Sequence, residues 1–213
     1  MASRPDDPRA DDALMVAWVE GDATAFECLY ARHQAALYRF VRRLLGTTLA
    51  AHVDEVFQDT WMRVVGARES WRADRAATFR TWLFTLAHHR AIDVLRRSGR
   101  EVSLDAGDDD EAPWEPDATA WQHWPPPPSA APQGDELAFW RRAGERLLHC
   151  LEQLPVAQRS AFLLHHDDGL GLDEVARALE VGFETAKTRL RYAMSKLRTC
   201  MGAYLEPLTR SAS

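Results

Sequence analysis

Apolar positions recur at helical spacing in two blocks of the chain, and nowhere does a strand-like alternation persist. Between Ala23 and Leu45, residues Phe26, Leu29, Tyr30, Leu37, Phe40, Val41 and Leu44 fall on one stripe. Asp22 stands where an N-cap belongs and Gly46 where a helix stops. A second helix is predicted over Ala51–Val65, with Val53, Val56, Phe57, Trp61 and Val64 inward and Gly66 closing it. A third runs from Phe79 to Arg97, carrying Phe79, Trp82, Leu83, Leu86, Ala87 and Leu95, and Ser98-Gly99 stops it. After a long gap the pattern resumes. Leu137–Leu154 is helical up to Pro155, Val156–His166 is another helix, and Asp167-Asp168-Gly169 turns the chain. The pattern predicts an all-α protein of two small helical domains.

The gap, residues 101–136, has neither period. It is rich in Asp, Pro and Ala, and Pro125 to Pro128 favour polyproline II over helix. It is predicted to be a long acidic, Pro-rich linker, disordered in isolation. Trp114, Trp121 and Trp124 interrupt it, which leaves open loose packing on a neighbouring domain or docking of a partner. The expected division is 13–100, the linker 101–136, and 137–200, with 1–12 and 201–213 as flexible tails.

Charge sharpens this division. The 213-residue chain has 26 Lys+Arg against 32 Asp+Glu, a net −6. The linker has ten acids and no Lys or Arg, so it alone holds −10, while the blocks on either side come to +4 and +2. The acidity therefore belongs to the strap and not to the domains. No apolar run approaches 18 residues, so no membrane insertion is expected. The polar start MASRPDDPRADD does not resemble a secretion signal, and a cytoplasmic location is expected. Cys28, Cys150 and Cys200 lie far apart without a CxxC pair, which argues for a reducing compartment and against a disulfide scaffold or a zinc site.

The last helices have the layout of a helix-turn-helix. LDEVARAL is short, with Val175, Ala176 and Leu179 inward, and Glu180-Val181-Gly182 supplies a tight turn containing glycine. In the longer second helix Ala186, Leu190, Ala193 and Leu197 follow spacings of 4, 3 and 4, a narrow buried face. The opposite side presents Glu184, Thr188, Arg191, Ser195 and Arg198, flanked by Thr185 and Lys187, with no acid beyond Glu184 as far as Arg198. Arg and Lys grip guanine edges or phosphates, and Thr and Ser serve either. Glu184, Thr185, Lys187, Thr188 and Arg191 are the expected base-proximal residues, and Arg189, Lys196 and Arg198 the phosphate contacts.

In the first block, Arg80, Arg90, Arg96 and Arg97 lie along the third helix with His88, His89 and Asp93, which are expected to be exposed. Beside a loop bearing Trp71, such a face suits single-stranded or melting DNA, where stacking and phosphate contacts combine.

Enzymatic readings find little support. His88-His89 and His165-His166 are adjacent pairs pointing about 100° apart on a helix, and no HxxxH with a flanking carboxylate occurs. GxSxG, P-loop and GxGxxG motifs are absent. No catalytic residues, cofactor, metal or small-molecule substrate are expected.

These motifs carry a resemblance. LPVAQRSAFLLHHDDGLGLDEVARALEVGFETAKTRLRYAMSKLR resembles domain 4 of the extracytoplasmic-function sigma factors. HVDEVFQDTWMRVV and FRTWLFTLAHHRAIDVLRR resemble their domain 2. The resemblance implies an initiation subunit of bacterial RNA polymerase. Domain 2 would bind the β′ clamp of the polymerase core and open the minus-10 element, and domain 4 would bind the β flap and read the minus-35 element. Carried onto this chain, the clamp-facing residues are Asp54, Glu55, Gln58, Asp59 and Arg63. The minus-10 group is the loop from Glu69 to Thr78 with Trp71, and Arg80, His88, His89, Arg90, Arg96 and Arg97. The minus-35 group is the face bearing Glu184 to Arg198. An anti-sigma factor is a further implied partner. The chain departs from the family pattern at His89, where asparagine is frequent, at Gly171, where Ser or Thr is usual, and at Glu180 and Glu184, where glycine is common.

A linker of 36 residues spans roughly 30–36 Å when flexible, and two turns of duplex measure about 70 Å, within its extended reach. The alternative function is a stand-alone helix-turn-helix transcriptional regulator with a helical sensor domain, which would bind duplex DNA tightly without polymerase.

Overall fold

The computed structural model describes residues 7–68, 78–99 and 135–210, with side chains of 7–68, 78–99 and 137–202. Helices run in the order α1 (Asp11–Val19), α2 (Ala23–Leu45), a 3₁₀ turn (Ala50–His52), α3 (Val53–Gly66), α4 (Phe79–Arg97), α5 (Asp135–Glu152), α6 (Val156–Phe162) with a π-helical turn (Leu163–Asp167), α7 (Leu172–Ala178) and α8 (Phe183–Arg210). Among the described residues there is no strand. The chain is all-α. The linker, its three tryptophans and its prolines lie outside the described residues.

The N-terminal lobe is α1–α4. Asp22 Oδ1 accepts from the N–H groups of Thr24 (3.0 Å) and Ala25 (3.4 Å), so α2 begins where its cap predicts. Gly46 ends it at φ +71°, in the left-handed region that glycine enters at least cost. Thr78 Oγ1 accepts from Thr81 N–H (3.2 Å) and starts α4. Leu29, Leu37, Phe40, Val41 and Leu44 of α2 are buried against Leu83, Phe84, Ala87 and Leu95 of α4 and Val56, Trp61 and Val64 of α3. Phe40 meets Phe84 edge-on at 5.3 Å.

Residues 7–12 are pinned by ion pairs, and Leu14, Met15 and Trp18 of α1 are buried. Arg32 Nη1 and His33 Nε2 reach Asp11 at 2.8 and 2.6 Å, and Asp12 accepts from the Phe79 N–H at 2.7 Å. Burial pushes the Asp11 carboxyl up, but the His33 and Arg32 hydrogen bonds outweigh it and hold the group below its ordinary value. The backbone of α8 continues to Arg210.

In the C-terminal lobe α8 packs on α5, α6 and α7 around Leu151, Leu154, Phe162, Leu163, Leu190, Ala193 and Leu197. One cysteine expectation is overturned. Cys150 on α5 and Cys200 on α8 form a disulfide, their Cα atoms 5.9 Å apart and 50 residues apart in sequence. Helix packing brings them together, and sequence spacing carries no trace of it. Cys28 is buried and lies outside the disulfide.

The two lobes form one continuous core. The guanidinium of Arg159, itself 4% exposed, donates to the carbonyls of Leu44 (3.0 Å), Glu152 (3.0 Å) and Leu154 (3.1 Å). It thus places a cation at the carbonyl end of α2, the favourable pole of that helix.

Candidate nucleic-acid interface

Helices α7 and α8 meet as the sequence predicts, with Val175, Ala176 and Ala178 against Ala186, Leu190, Ala193 and Leu197, all buried. The small side chains let the backbones approach. The turn differs in one respect. The left-handed residue is Glu180 at φ +53°, not Gly182. Its N–H bonds to Arg177 O (3.1 Å) and that of Val181 to Ala176 O (3.0 Å), which places the left-handed residue of the turn two positions before the glycine. Gly171 has no side chain to cap α7, so only the reciprocal half of a capping box exists, with the Gly171 N–H donating to Glu174 Oε2 at 3.0 Å.

On the outward side of α8, Glu184, Thr185 and Lys187 are exposed, and Thr188, Arg191, Ser195, Lys196 and Arg198 are half-buried. Lys187 Nζ lies 3.4 Å from Glu184 Oε2, both exposed, a pair of little net worth that DNA can replace. Arg191 lies over the Tyr192 ring at 5.4 Å. Arg189 turns away from this row and lines a groove shared with α4.

On α4, Arg96 and Arg97 are exposed and Arg80 half-buried. Two residues of this group depart from expectation. His88 is buried at 4% exposure, because its side of α4 is the one covered by the C-terminal lobe. Burial, followed by the charges of His89, Arg189 and Arg96, pushes its imidazole down to about 3, and among the described residues neither ring nitrogen has a hydrogen-bond partner. Arg90 is not presented outward. Its Nε donates to Asp59 (2.7 Å) and its Nη2 to Glu55 (2.8 Å), so it braces α4 against α3. Trp71 and residues 69–77 lie outside the described residues.

On α3, Asp54, Glu55, Gln58 and Arg63 are exposed and Asp59 half-buried. Asp54 accepts from the Tyr38 hydroxyl at 3.1 Å. Met62 and Val65, 68% and 43% exposed, stand beside them as apolar surface that the sequence pattern did not single out. The signal was available, since both fall off the inward stripe of α3.

Between the lobes lies a groove of about 330 Å³ lined by His88, His89 and Arg96 on one side and Leu179, Glu180 and Arg189 on the other. His89 Nε2 is 3.3 Å from Glu180 Oε2. Among the described residues no group of three or more His, Cys, Asp or Glu is placed to hold a metal. No described helix is long and apolar enough to cross a membrane.

The family model for Sigma-70 region 2 matches residues 29–101, and that for Sigma-70 region 4 matches residues 144–197. The ECF RNA polymerase sigma factor SigK of Mycobacterium ulcerans is 31% identical over 201 residues, 92% of this chain and 96% of that one. The chain belongs to the extracytoplasmic-function sigma factors. The SigK of Mycolicibacterium vanbaalenii is 30% identical, over 90% of this chain and 89% of its own. Among solved structures, the sigma factor CnrH, held there with the cytosolic domain of CnrY, superposes with a TM-score of 0.62 at 23% identity, covering 92% of this chain and 99% of that one. The Bartonella quintana sigma factor RpoE, solved with the anti-sigma factor NepR, gives 0.57 at 21% identity, covering 83% and 96%. At such identities these two likenesses concern the fold.

Membership decides against the stand-alone regulator. This sigma factor directs transcription initiation, its regions 2 and 4 serving the polymerase core and promoter DNA. The family it belongs to is one of non-enzymatic initiation factors.

Proposed function

We propose that this sigma factor reads a two-element promoter with residues 137–200 on the minus-35 duplex and residues 13–100 on the minus-10 element and the β′ clamp, joined by the strap 101–136. The observation that carries this assignment is a pair of cationic helix faces on one chain: Arg80, Arg96 and Arg97 on α4, and Lys187, Arg191, Lys196 and Arg198 on α8. On α8, Glu184, Thr185, Lys187, Thr188 and Arg191 face the bases, and Arg189, Lys196 and Arg198 face phosphates once Arg189 is freed from the groove. On α4, Arg80, His89, Arg96 and Arg97 meet minus-10 DNA, with Trp71 from the loop. His88 and Arg90 serve packing and bracing. Asp54, Glu55, Gln58, Asp59 and Arg63, with Met62 and Val65 beside them, form the clamp surface.

The protein works in the cytoplasm, catalyses nothing, and is held inactive by an anti-sigma factor, in keeping with the partner of the RpoE relative. The test is transcription by purified core polymerase on a randomised promoter library. Start sites should appear at one pair of elements only when this sigma factor is added. Core enzyme that neither retains the protein nor gains start-site choice refutes the assignment.

A further inference from the structure

The nine-residue helix α1 lies before residue 29, where the match to Sigma-70 region 2 begins, and the promoter-reading assignment above names none of its residues. It nevertheless holds both ends of segment 69–77, which carries Trp71 and joins α3 to α4. At the leading end, Arg68 Nη2 donates to the Val19 carbonyl at 2.9 Å, and the guanidinium lies over the Trp18 ring at 5.5 Å. At the trailing end, Asp12 Oδ1 accepts from the Phe79 N–H at 2.7 Å. Each contact suits the helix pole it meets. Arg68 puts a cation at the carbonyl end of α1, and Asp12 puts a carboxylate at the N–H end of α4. The Phe79 N–H is one of those that a helix start leaves without an intrahelical acceptor, so its acceptor has to come from outside α4.

Helix α1 is itself fixed. Leu14 and Met15 are fully buried and Trp18 is 6% exposed. The Trp18 ring lies 4.7 Å from Phe26, which meets Trp61 of α3 edge-on at 5.9 Å. Asp11 is held by Arg32 (2.8 Å) and His33 (2.6 Å) of α2, and the His33 ring lies 5.6 Å from that of Phe79. The anchors Asp12 and Val19 are seven residues apart on α1, about 10 Å of helix. The nine residues 69–77 could span roughly 30 Å when extended, so chain length does not set the distance between their ends. Arg68 lies beyond the end of α3, and Phe79 is the first residue of α4, positions where helices fray. Contacts from α1 hold both.

We propose that α1 is a positioning brace for minus-10 recognition: Asp12 and the Trp18–Val19 end fix Phe79 and Arg68, and thereby both feet of the segment that meets the melting strand. The inference rests on the promoter-reading assignment for what the segment meets, and on the contacts above for how it is held. Asp12 and Arg68 act through the segment and do not themselves touch DNA. Loss of one hydrogen bond at a foot changes the population of the held geometry roughly 3–10-fold.

The experiment uses the full chain in holoenzyme with purified core polymerase. The variants are Asp12→Ala, Arg68→Ala and Asp12→Asn, the last of which keeps an acceptor oxygen. Affinities are measured for core polymerase, for a minus-35 duplex and for a single-stranded minus-10 oligonucleotide, both DNAs taken from the promoter that wild type selects. Asp12→Ala and Arg68→Ala should each weaken the minus-10 oligonucleotide about 3–10-fold and change the other two affinities by no more than about twofold. Asp12→Asn should stay within about twofold of wild type throughout. Hydrogen exchange at the Phe79 amide should accelerate in Asp12→Ala. A loss shared equally by all three affinities shows a merely structural role and overturns the brace, as does unchanged minus-10 affinity in both alanine variants. Failure of the promoter assignment is distinguishable: wild-type holoenzyme then selects no promoter and the DNA-positioning role falls, whereas Phe79 exchange still responds to Asp12→Ala.

Discussion

Replacing His88 by leucine should stabilise this protein. The imidazole is buried with both nitrogens unpartnered among the described residues, and an uncompensated buried polar group costs roughly 1–3 kcal/mol. Leucine has a similar volume and no polar atom, so His88→Leu should raise stability by about 1–3 kcal/mol at pH 7.5. The pH dependence makes the cause identifiable. Burial, with His89, Arg189 and Arg96 nearby, lowers the His88 imidazole from 6.5 to about 3 in the folded chain. Between those values the unfolded chain binds the proton and the folded chain does not, so stability falls as pH drops below 6.5. At pH 5 the difference is 1.5 units, or about 2 kcal/mol.

Asp168 acts in the opposite sense. Burial, then Asp167, raises its carboxyl from 3.8 to about 7 against the pull of Arg80, Arg39 and Arg43. Its folded form therefore holds a proton that the unfolded form releases, and it gains stability as pH falls from 7 towards 3.8. His166, lowered to about 4 by burial and then by His165, works with His88. Wild-type stability alone thus mixes compensating contributions, whereas the difference between wild type and His88→Leu isolates one group. Urea unfolding followed by helical circular dichroism at pH 7.5 and pH 5 measures it. The gap between variant and wild type should widen by about 2 kcal/mol at the lower pH. A gap that stays constant, or a variant less stable than wild type by more than 1 kcal/mol at pH 7.5, refutes the reasoning (the latter by showing that the nitrogens are in fact satisfied).

Three other outcomes are expected. Reduction, or Cys150→Ser with Cys200→Ser, frees a closure between residues 50 apart, and should cost up to about 4 kcal/mol in urea unfolding with and without dithiothreitol; alkylation of the urea-unfolded chain before reduction should label only Cys28. Arg159→Met leaves carbonyls of Leu44, Glu152 and Leu154 without their donor and should cost about 2–4 kcal/mol, read as a lowered thermal midpoint. Lys187→Ala in the holoenzyme should weaken promoter binding and reduce the slope of log affinity against log salt by about 0.9 if the ammonium contacts phosphate; an unchanged slope with altered sequence preference assigns it to a base instead.

The helices of this chain were legible wherever a local signal fixes them. Asp22 and Gly46 bracket α2, Thr78 and Ser98-Gly99 bracket α4, and the 4-3-4 spacing from Ala186 to Leu197 gives the buried face of α8. Helix α1 escaped because nine residues with two leading aspartates show only a short apolar cluster, and Asp11 is held by Arg32 and His33 from another helix. The outward face of α8 was likewise legible, because exposure there is the complement of a periodic core. The α4 face was not. His88, His89 and Arg90 are consecutive, yet one is buried under the other lobe, one faces Glu180 and one braces Glu55 and Asp59. Helical spacing separates the three directions, but only the tertiary neighbours say what each direction meets. The disulfide belongs to the same class, since nothing local distinguishes Cys200 from Cys28.

The arrangement of the lobes bears on how such a factor is used. The two lobes share one apolar core, and at its edge Glu180 lies 3.3 Å from His89. Separating the lobes would break the Arg159–Leu44 hydrogen bond and expose apolar surface, so it has a cost. Apolar burial at Ile92 and Leu179 gives the contact a fixed register. The carboxylate pairs that surround it are half-exposed and each contribute about 1 kcal/mol or less. Arg159 is the exception, a buried cation on three carbonyls, one of them across the lobe boundary. The half-exposed pairs weaken in salt whereas the shared apolar core does not, so salt should leave the lobes together even as affinity for DNA falls. Those different dependences separate the lobe–lobe contact from a DNA contact without any substitution.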